Sequence, residues 1–185
     1  MTGLIILAII VAVIGYAIFL YNDLVSKRQL KEEGWSGIDV QLKRRTDLIP
    51  NLMETVKGYM SHERDTLEAV VKARAAATSG ASGTPAERSA LEGQLSGALG
   101  KLLAVAEAYP DLKANTTFLE FQDALRGVED EIQLARRYYN GAVRNLNTSV
   151  ESFPQNVIAN AFKFSKDEYF ELENEADRAV PTVKF

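Results

Sequence analysis

The sequence contains no cysteine and only one histidine, His62, in 185 residues. The lack of cysteine excludes disulfides, thiolate metal ligands and a cysteine nucleophile. One histidine argues against a zinc site and against a histidine-based catalytic triad. The net charge of −4 also lacks the basic excess that is typical of nucleic-acid-binding proteins. We therefore expect no nucleic-acid partner.

Charged residues are absent from the first apolar run, Leu4 to Leu20, which reads LIILAIIVAVIGYAIFL. From Gly3 to Tyr21 the uncharged stretch gives roughly 28 Å of helix, about the thickness of a hydrocarbon core. A signal peptide normally begins with a basic segment, and none precedes this run. The run predicts a retained transmembrane anchor rather than a cleaved signal peptide.

Basic residues follow the apolar run closely. The nearest are Lys27, Arg28 and Lys31, and a second group consists of Lys43, Arg44 and Arg45. The positive-inside rule places the basic flank of a span in the cytoplasm. We therefore expect a single-pass protein of the inner (cell) membrane, with the N-terminus outside and the large domain in the cytoplasm.

The next segments are patterned for long helices. No turn signal separates Leu20 from Arg45, which predicts one helix that leaves the membrane without a break. Gly34 and Gly37 weaken this helix by about 1 kcal/mol each, a cost that close approach of a neighbouring helix would offset. Asp39 and Lys43 are expected to pair at i,i+4.

A second helix is predicted from Asp47 to about Thr78, with Asp47 as its N-cap and Pro50 in its first turn. The stretch 79–85, SGASGTP, is the clearest loop. Thr84, Pro85 and Glu87 then supply the N-cap, N1 and N3 residues of a third helix over about 85–108.

The third helix has two distinct stripes. Its apolar stripe consists of Leu91, Leu95, Leu99 and Leu102. Its small-residue stripe consists of Ser89, Gly93, Gly97, Gly100 and Ala104. Small residues allow another helix to approach closely.

The fourth helix carries the strongest periodic signal. Asp111, after Pro110, is predicted to cap it, and Pro154 to stop it. The 3-4 spacing is kept by Phe118, Phe121, Leu125, Val128, Ile132, Ala135, Tyr139, Ala142, Leu146, Ser149 and Phe153. Sustained heptads indicate long neighbouring helices packed at a shallow angle.

The predicted fold is therefore all-α. A transmembrane helix (1–21) is continuous with an antiparallel bundle of four long helices (22–154). An irregular aromatic C-terminal tail (155–185) is expected to pack on the bundle, the membrane surface or a neighbouring subunit. Helix lengths bring both the loop 79–85 and the segment after Phe153 back toward the membrane.

The motifs resemble those of the LemA family of bacterial membrane proteins over nearly the whole chain. They are Tyr21-Asn22, Leu24-Val25, Arg28, Trp35-Ser36, Ile38-Asp39-Val40-Gln41-Leu42-Lys43-Arg44-Arg45, Asp47-Leu48-Ile49-Pro50-Asn51-Leu52, Val56-Lys57-Gly58-Tyr59, His62-Glu63, Tyr109-Pro110, Leu112-Lys113-Ala114-Asn115, Ala135-Arg136, Tyr139-Asn140 and Phe153-Pro154. The resemblance implies one N-terminal membrane helix, a bundle of long helices and no established catalytic activity. It also implies the topology expected above, with the N-terminus outside and the helical domain in the cytoplasm. Genes of this family often lie beside genes for membrane proteases or envelope quality control.

Candidate chemical sites are few. His62-Glu63 suggests a zinc protease, but Thr66 stands where the second histidine is needed. Arg44, Arg45 and Asp47 suggest an anion or lipid-headgroup site at a helix start. We favour the simpler interpretation that Arg45 binds carbonyls at the end of the first helix.

Acidic residues also form two groups. Glu129, Asp130 and Glu131 are consecutive and so point to different faces of a helix, as on a solvated surface. Glu168, Glu171, Glu173 and Glu175 lack the spacing of a calcium loop. We expect no catalytic, cofactor-binding or metal-binding residues.

These observations predict a membrane-anchored, non-enzymatic scaffold or interaction protein. Its expected partners are the lipid bilayer, further copies of the chain, and a second membrane protein as a further candidate. Membrane shaping or support of envelope quality control is a related interpretation. The alternative is a regulator or adaptor of a membrane protease or another membrane enzyme.

Overall fold

The computed structural model describes residues 1–171, and every regular element in this range is helical. The helices are α1 (Thr2–Lys57), α2 (Arg64–Ser79), α3 (Pro85–Ala106), α4 (Pro110–Lys113), α5 (Thr116–Glu151) and α6 (Gln155–Ala161), with a 3-10 turn at Gly80–Ser82. The predicted all-α class is confirmed. The domain boundaries at 21/22 and 154/155 stay a prediction, and the end of the predicted tail, residues 172–185, lies outside the described residues.

The chain forms two compact units. The first consists of Met1–Gly37 and Ala135–Tyr169, and the second of Ile38–Leu134 and the segment that begins at Phe170. Helices α1 and α5 contribute residues to both units.

The first unit contains the apolar run, whose side chains are almost all exposed from Leu4 to Phe19. In the described part of the chain, α1 is the only helix that is long and apolar enough to cross a membrane. Burial begins at Leu20 and Leu24, and Leu24 packs with Leu146 of α5 and Ala159 of α6. The first unit therefore changes from an exposed apolar helix to a packed helical core at the end of the run.

A close contact between α1 and α5 involves Gly34. A Cβ placed on Gly34 would lie 3.0 Å from the Cα of Tyr139 and 3.1 Å from Cδ1 of Tyr138. The neighbouring Trp35 packs its ring 5.4 Å from the ring of Tyr139. The predicted close approach is therefore confirmed at Gly34. At Gly37 it is wrong within residues 1–171, because a Cβ there would meet no described atom within 4 Å.

The second unit has its own hydrophobic core, built by α2, α3, α4 and the adjoining parts of α1 and α5. Its buried residues are Ile49, Leu52, Met53, Val56, Met60, Leu67, Val70, Ala77, Leu95, Leu99, Leu102, Ala106, Leu112, Phe118 and Leu125. The 3-4 spacing of these residues along each helix explains why one face of each is buried.

The predicted helix boundary at Asp47 is wrong, because α1 continues through Pro50 to Lys57. Proline lacks an N–H, so the carbonyl of Thr46, four residues earlier, loses its helical donor. The Nε of Arg74 on α2 donates to that carbonyl oxygen at 2.9 Å. A side chain from another helix thus satisfies the group that would otherwise disfavour an unbroken helix.

The second helix also begins later than predicted. Helix α1 ends at Lys57, Gly58 follows it, and α2 begins at Arg64. Val56 before this break, Met60 within it and Leu67 after it are all buried, so the 3-4 spacing continues across the break. Spacing of buried residues alone could not reveal this turn.

The start of α3 is confirmed in detail. Thr84 accepts a hydrogen bond from the Glu87 N–H, and the Glu87 carboxylate accepts one from the Thr84 N–H. This capping box, with Pro85 at the first helical position, is the predicted N-terminal signal. The apolar stripe is buried at Leu95, Leu99 and Leu102, whereas Leu91 is only partly buried.

The start of α5 differs from the prediction. Asp111 lies in the first turn of the short α4, and Asn115 caps α5 by accepting a hydrogen bond from the Phe118 N–H at 3.0 Å. Most heptad residues of α5 are buried or partly buried, as predicted. Phe153 is the exception at 82% exposed, because α5 ends at Glu151 and the heptad pattern continues past the helix.

Candidate functional site

The most unusual feature of the second unit is a buried arginine, Arg45, in the apolar face of α1. Both Arg45 and its partner Glu92 on α3 have side chains that are 2% exposed. The same guanidinium group donates to Oγ of Ser96 at 2.8 Å and to the Glu92 carbonyl at 3.2 Å. It lies 3.1 Å from Glu129 of α5, whose side chain is 41% exposed. We call these four residues the Arg45 cluster.

The local sequence explains how the Arg45 cluster forms. Arg45 occupies a 3-4 position between the buried residues Leu42 and Ile49, so the helix turns it inward. Glu92 precedes Leu95 on the buried face of α3 in the same way. A buried charge is tolerated when it is paired and hydrogen-bonded. The cluster therefore fixes α1, α3 and α5 of this unit in register.

The expected role of Arg45 at a helix end is wrong, since α1 does not end there. Arg44 and Asp47 are exposed and do not join the Arg45 cluster. Lys43 pairs with Asp47 at 2.8 Å rather than with Asp39, and Asp39 instead pairs with the buried Arg88 of α3. The structure does not bring these basic residues together as an anion site.

A half-open groove of about 300 Å³ borders the Arg45 cluster. Arg45, Ser96 and Glu129 of the cluster line one part of it. The remaining lining residues, mostly apolar, are Leu99, Gly100, Leu103, Gln122, Leu125 and Arg126. The groove therefore combines an apolar surface with charges of both signs.

The small-residue stripe of α3 is open on the described chain. A Cβ placed on Gly93, Gly97 or Gly100 would meet nothing within 4 Å, and Gly97 and Gly100 are exposed. These glycines lower the helix propensity of α3, and no described neighbour packs close to them. The predicted close approach of another helix is therefore not made within the described residues.

His62 and Glu63 have separate surroundings. His62 is exposed, whereas the Glu63 carboxylate accepts a hydrogen bond from the Tyr109 hydroxyl at 2.9 Å. This hydrogen bond raises the pKa of Tyr109 above its usual value. Across residues 1–171, no group of three or more His, Asp or Glu side chains is placed to hold a metal ion. The expected absence of catalytic, metal-binding and cofactor-binding residues stays a prediction.

The acidic residues divide between the surface and structural contacts. Asp130 and Glu131 are exposed as expected, but Glu129 belongs to the Arg45 cluster. The backbone oxygen of Glu168 accepts a hydrogen bond from the Tyr139 hydroxyl at 2.9 Å, and that of Glu171 accepts one from Ser89. Glu173 and Glu175 lie outside the described residues.

The first unit contains an aromatic cluster where α1 leaves the apolar run. The Tyr21 ring lies 4.8 Å from that of Phe162 and 5.9 Å from that of Phe164. The Arg28 guanidinium lies 5.1 Å from the Phe164 ring centroid, a cation–π contact. Helix lengths predict that these aromatic residues lie near the membrane, but the sequence alone could not identify Tyr21 as their contact.

Sequence comparison relates the chain to proteins of known families. The profile of the LemA family matches residues 34–185. Protein LemA of Metamycoplasma hominis is 29% identical over 153 residues, which cover 79% of this chain and 68% of that protein. Magnetosome protein MamQ 2 of Paramagnetospirillum magneticum is 26% identical over 198 residues, covering 94% of this chain and 72% of the relative. Magnetosome protein MamQ of Magnetospirillum gryphiswaldense is 24% identical with the same coverage.

Proposed function

Because the chain belongs to the LemA family, we propose that it is a membrane-anchored, non-enzymatic helical scaffold that assembles with further copies of itself. The observation that carries this proposal is the helix α1. Its exposed apolar run passes without a break into positions that are packed against other helices. The names of the relatives, LemA and magnetosome protein MamQ, include no enzymatic activity.

Anchoring is supported by the exposure of the run from Leu4 to Phe19, because no described side chain covers it. Twelve of its residues to Leu20 are Leu, Ile, Val or Phe, which favours insertion by roughly 5 kcal/mol on a translocon scale. The basic flank that begins at Lys27 supports an orientation with the N-terminus outside and the helical domain in the cytoplasm. The protein would then be a single-pass protein of the inner membrane.

Self-assembly is supported by surfaces that the described chain leaves uncovered. The glycines Gly93, Gly97 and Gly100 are open, and apolar side chains such as Val71 and Leu134 are at least half exposed. Confinement to a membrane raises the effective concentration of copies, so contacts that are weak in solution become populated. An assembly of this kind is suited to shaping the membrane or to supporting quality control in the envelope.

The groove beside the Arg45 cluster favours one alternative function. A half-open apolar groove with Arg126 and Glu129 along it is suited to a peptide segment of another membrane protein. This would make the protein a regulator or adaptor of a membrane protease. Deletion of the gene would then change the turnover of that protease's substrates, and unchanged turnover would count against an adaptor.

The scaffold proposal is tested by variants of two open glycines in native-lipid particles. Gly97→Leu blocks the small-residue stripe of α3, whereas Gly127→Leu changes an equally open glycine of α5. We expect Gly97→Leu to reduce the number of copies per particle and Gly127→Leu to leave it unchanged. Equal copy numbers for both variants and the unmodified chain would show that the stripe is not an assembly surface.

A further inference from the structure

The first unit exposes three large apolar side chains around α6. Phe153 is 82% exposed, Val157 is 57% exposed and Phe162 is 59% exposed. They lie just before, within and just after the helix Gln155–Ala161. We call them the interfacial patch. Two phenylalanines exposed to this extent, at the two ends of one short helix, indicate a surface that another apolar phase covers.

One member of the interfacial patch, Phe162, lies beside the end of the apolar run. Tyr21 is the first residue after Leu20, and its ring packs 4.8 Å from the ring of Phe162. If the run from Leu4 to Leu20 fills the hydrocarbon core, Tyr21 lies at the membrane–water boundary. Contact with Tyr21 then places Phe162 at the same boundary.

A tight turn after α6 sets the directions of the two phenylalanines. Lys163 has a positive φ of 58°, the Phe164 N–H donates to the Ala159 carbonyl at 2.9 Å, and the Lys163 N–H donates to that of Asn160 at 3.4 Å. These two bonds form a Schellman-type helix end. The turn leaves Phe162 exposed while Phe164 packs with the small core around Leu24.

The residues around the interfacial patch have the composition of a membrane boundary. Aromatic and basic side chains are enriched at this depth because their apolar parts enter the acyl region and their polar ends reach the headgroups. Tyr21, Lys163 and Arg28 supply such polar ends beside the patch. Arg28 lies against the Phe164 ring, which keeps a cation next to the aromatic cluster.

We propose that Phe153, Val157 and Phe162 insert into the lipid interface beside the membrane span. The first unit then has two lipid contacts, the span itself and the interfacial patch. The proposal rests on the anchoring role of the apolar run. A bilayer is the occupant because it already surrounds the adjoining run, whereas a second copy would have to approach through the same lipid.

The test uses single tryptophan reporters in the full chain, reconstituted in vesicles with brominated phospholipids. Trp35 is the only tryptophan of the sequence, so Trp35→Phe gives a silent background. Phe153→Trp and Phe162→Trp report on the interfacial patch, and Phe19→Trp reports on the span. Tyr138→Trp is the matched control, because Tyr138 is 49% exposed but lies beside Gly34, roughly 20 Å along α1 from Tyr21.

We expect lipid quenching of Phe153→Trp and Phe162→Trp that is severalfold stronger than that of Tyr138→Trp. Strong quenching at Phe19→Trp with none at the patch would overturn this inference and leave the anchor intact. No quenching at Phe19→Trp would overturn the anchor as well. The fluorescence of Phe153→Trp and Phe162→Trp could instead change with the protein-to-lipid ratio and not with brominated lipid. That result would show that a second copy covers the patch, and it would also overturn the inference.

The reporters replace exposed side chains, so they should not unfold the protein. Helix content and thermal unfolding of each reporter should match those of the Trp35→Phe background. A further variant combines Phe153→Ser and Phe162→Ser with the reporter Val157→Trp. It should keep the same helix content, and lipid quenching of its tryptophan should be weaker than that of Val157→Trp alone. Retained quenching in this variant would contradict insertion of the two phenylalanines.

Discussion

Arg74 of α2 donates a hydrogen bond from Nε to the carbonyl oxygen of Thr46, the carbonyl that Pro50 leaves without a helical donor. This relationship explains how α1 passes through a proline without ending. A proline inside a helix costs about 3 kcal/mol, partly through the lost hydrogen bond. Arg74 recovers part of that cost and joins α2 to α1 within the second unit.

The first prediction concerns this compensation. Arg74→Met should lower the free energy of unfolding by about 1 to 3 kcal/mol, because a buried carbonyl loses its donor. In a Pro50→Ala background the cost of Arg74→Met should fall to below about 1 kcal/mol, since the introduced alanine would supply the helical N–H. Denaturant unfolding in detergent, followed by circular dichroism, measures the stability of the unmodified chain, the two single variants and the double variant. Equal costs in both backgrounds would show that the two residues are not coupled.

The second prediction concerns the Arg45 cluster. Arg45→Met should destabilise the protein by about 3 to 5 kcal/mol, because it leaves the Glu92 carboxylate buried without its cation. The double variant Arg45→Met, Glu92→Leu should recover most of that loss, because an apolar pair of similar volume replaces the ion pair. The exposed neighbour Arg44 gives the control: Arg44→Met should change stability by less than about 0.5 kcal/mol. Denaturant unfolding of the three variants provides the measurement, and a double variant as unstable as Arg45→Met would contradict this explanation.

The third prediction compares two glycines on the same helix. Gly34→Ala should destabilise the protein, because its Cβ would lie 3.0 Å from the backbone of Tyr139 and force α1 and α5 apart. The Cβ of Gly37→Ala would meet no atom of the described chain within 4 Å, so this change should stabilise α1 by about 0.5 to 1 kcal/mol through helix propensity. Thermal unfolding of the two variants in parallel provides the measurement. Stabilisation by both would mean that the close approach at Gly34 is not required.

The fourth prediction concerns pH. Burial raises the pKa of Tyr139 to about 12, with further contributions from the negative charges of Asp167 and Glu168. The unfolded side chain ionises near pH 10, so the unfolded state loses its proton at a lower pH than the folded state. The contribution of Tyr139 to stability is therefore fully present below pH 10 and falls by up to about 2 to 3 kcal/mol as pH rises to 12.

The measurement compares Tyr139→Phe with Tyr138→Phe, its exposed neighbour. Unfolding of Tyr138→Phe should keep the steep loss of stability above pH 10. In Tyr139→Phe that loss should be smaller, although the variant also lacks the hydrogen bond to Glu168. The same pH dependence in both variants would show that ionisation of Tyr139 does not contribute to the loss of stability above pH 10.

Local signals in the sequence are sufficient for most of the fold. The capping box at Thr84 and Glu87 depends only on residues within one turn, and it is present as predicted. The heptad pattern of α5 correctly indicates its buried face, since a long amphipathic helix needs no distant information to choose that face. The same pattern continues to Phe153 although α5 ends at Glu151, because burial periodicity does not specify a helix end.

Features that depend on distant partners cannot be predicted in this way. Pro50 indicates the start of a helix when only its neighbours are considered. Its compensation comes from Arg74 on another helix, 28 residues away from the Thr46 carbonyl that Arg74 binds. The prediction that Arg45 lies at a helix end fails for the same reason, although its position between Leu42 and Ile49 is a signal of burial. Its partner Glu92 cannot be identified from spacing, because pairing across helices depends on how the helices pack.

A membrane-anchored scaffold of several copies is the central proposal for this protein. The most direct measurement is the mass of the unmodified full chain in lipid particles extracted from native membranes without detergent. We predict particles that hold more than one copy, with copy number lowered by Gly97→Leu and not by Gly127→Leu. Particles that hold a single copy throughout, at native expression levels, would contradict the proposal.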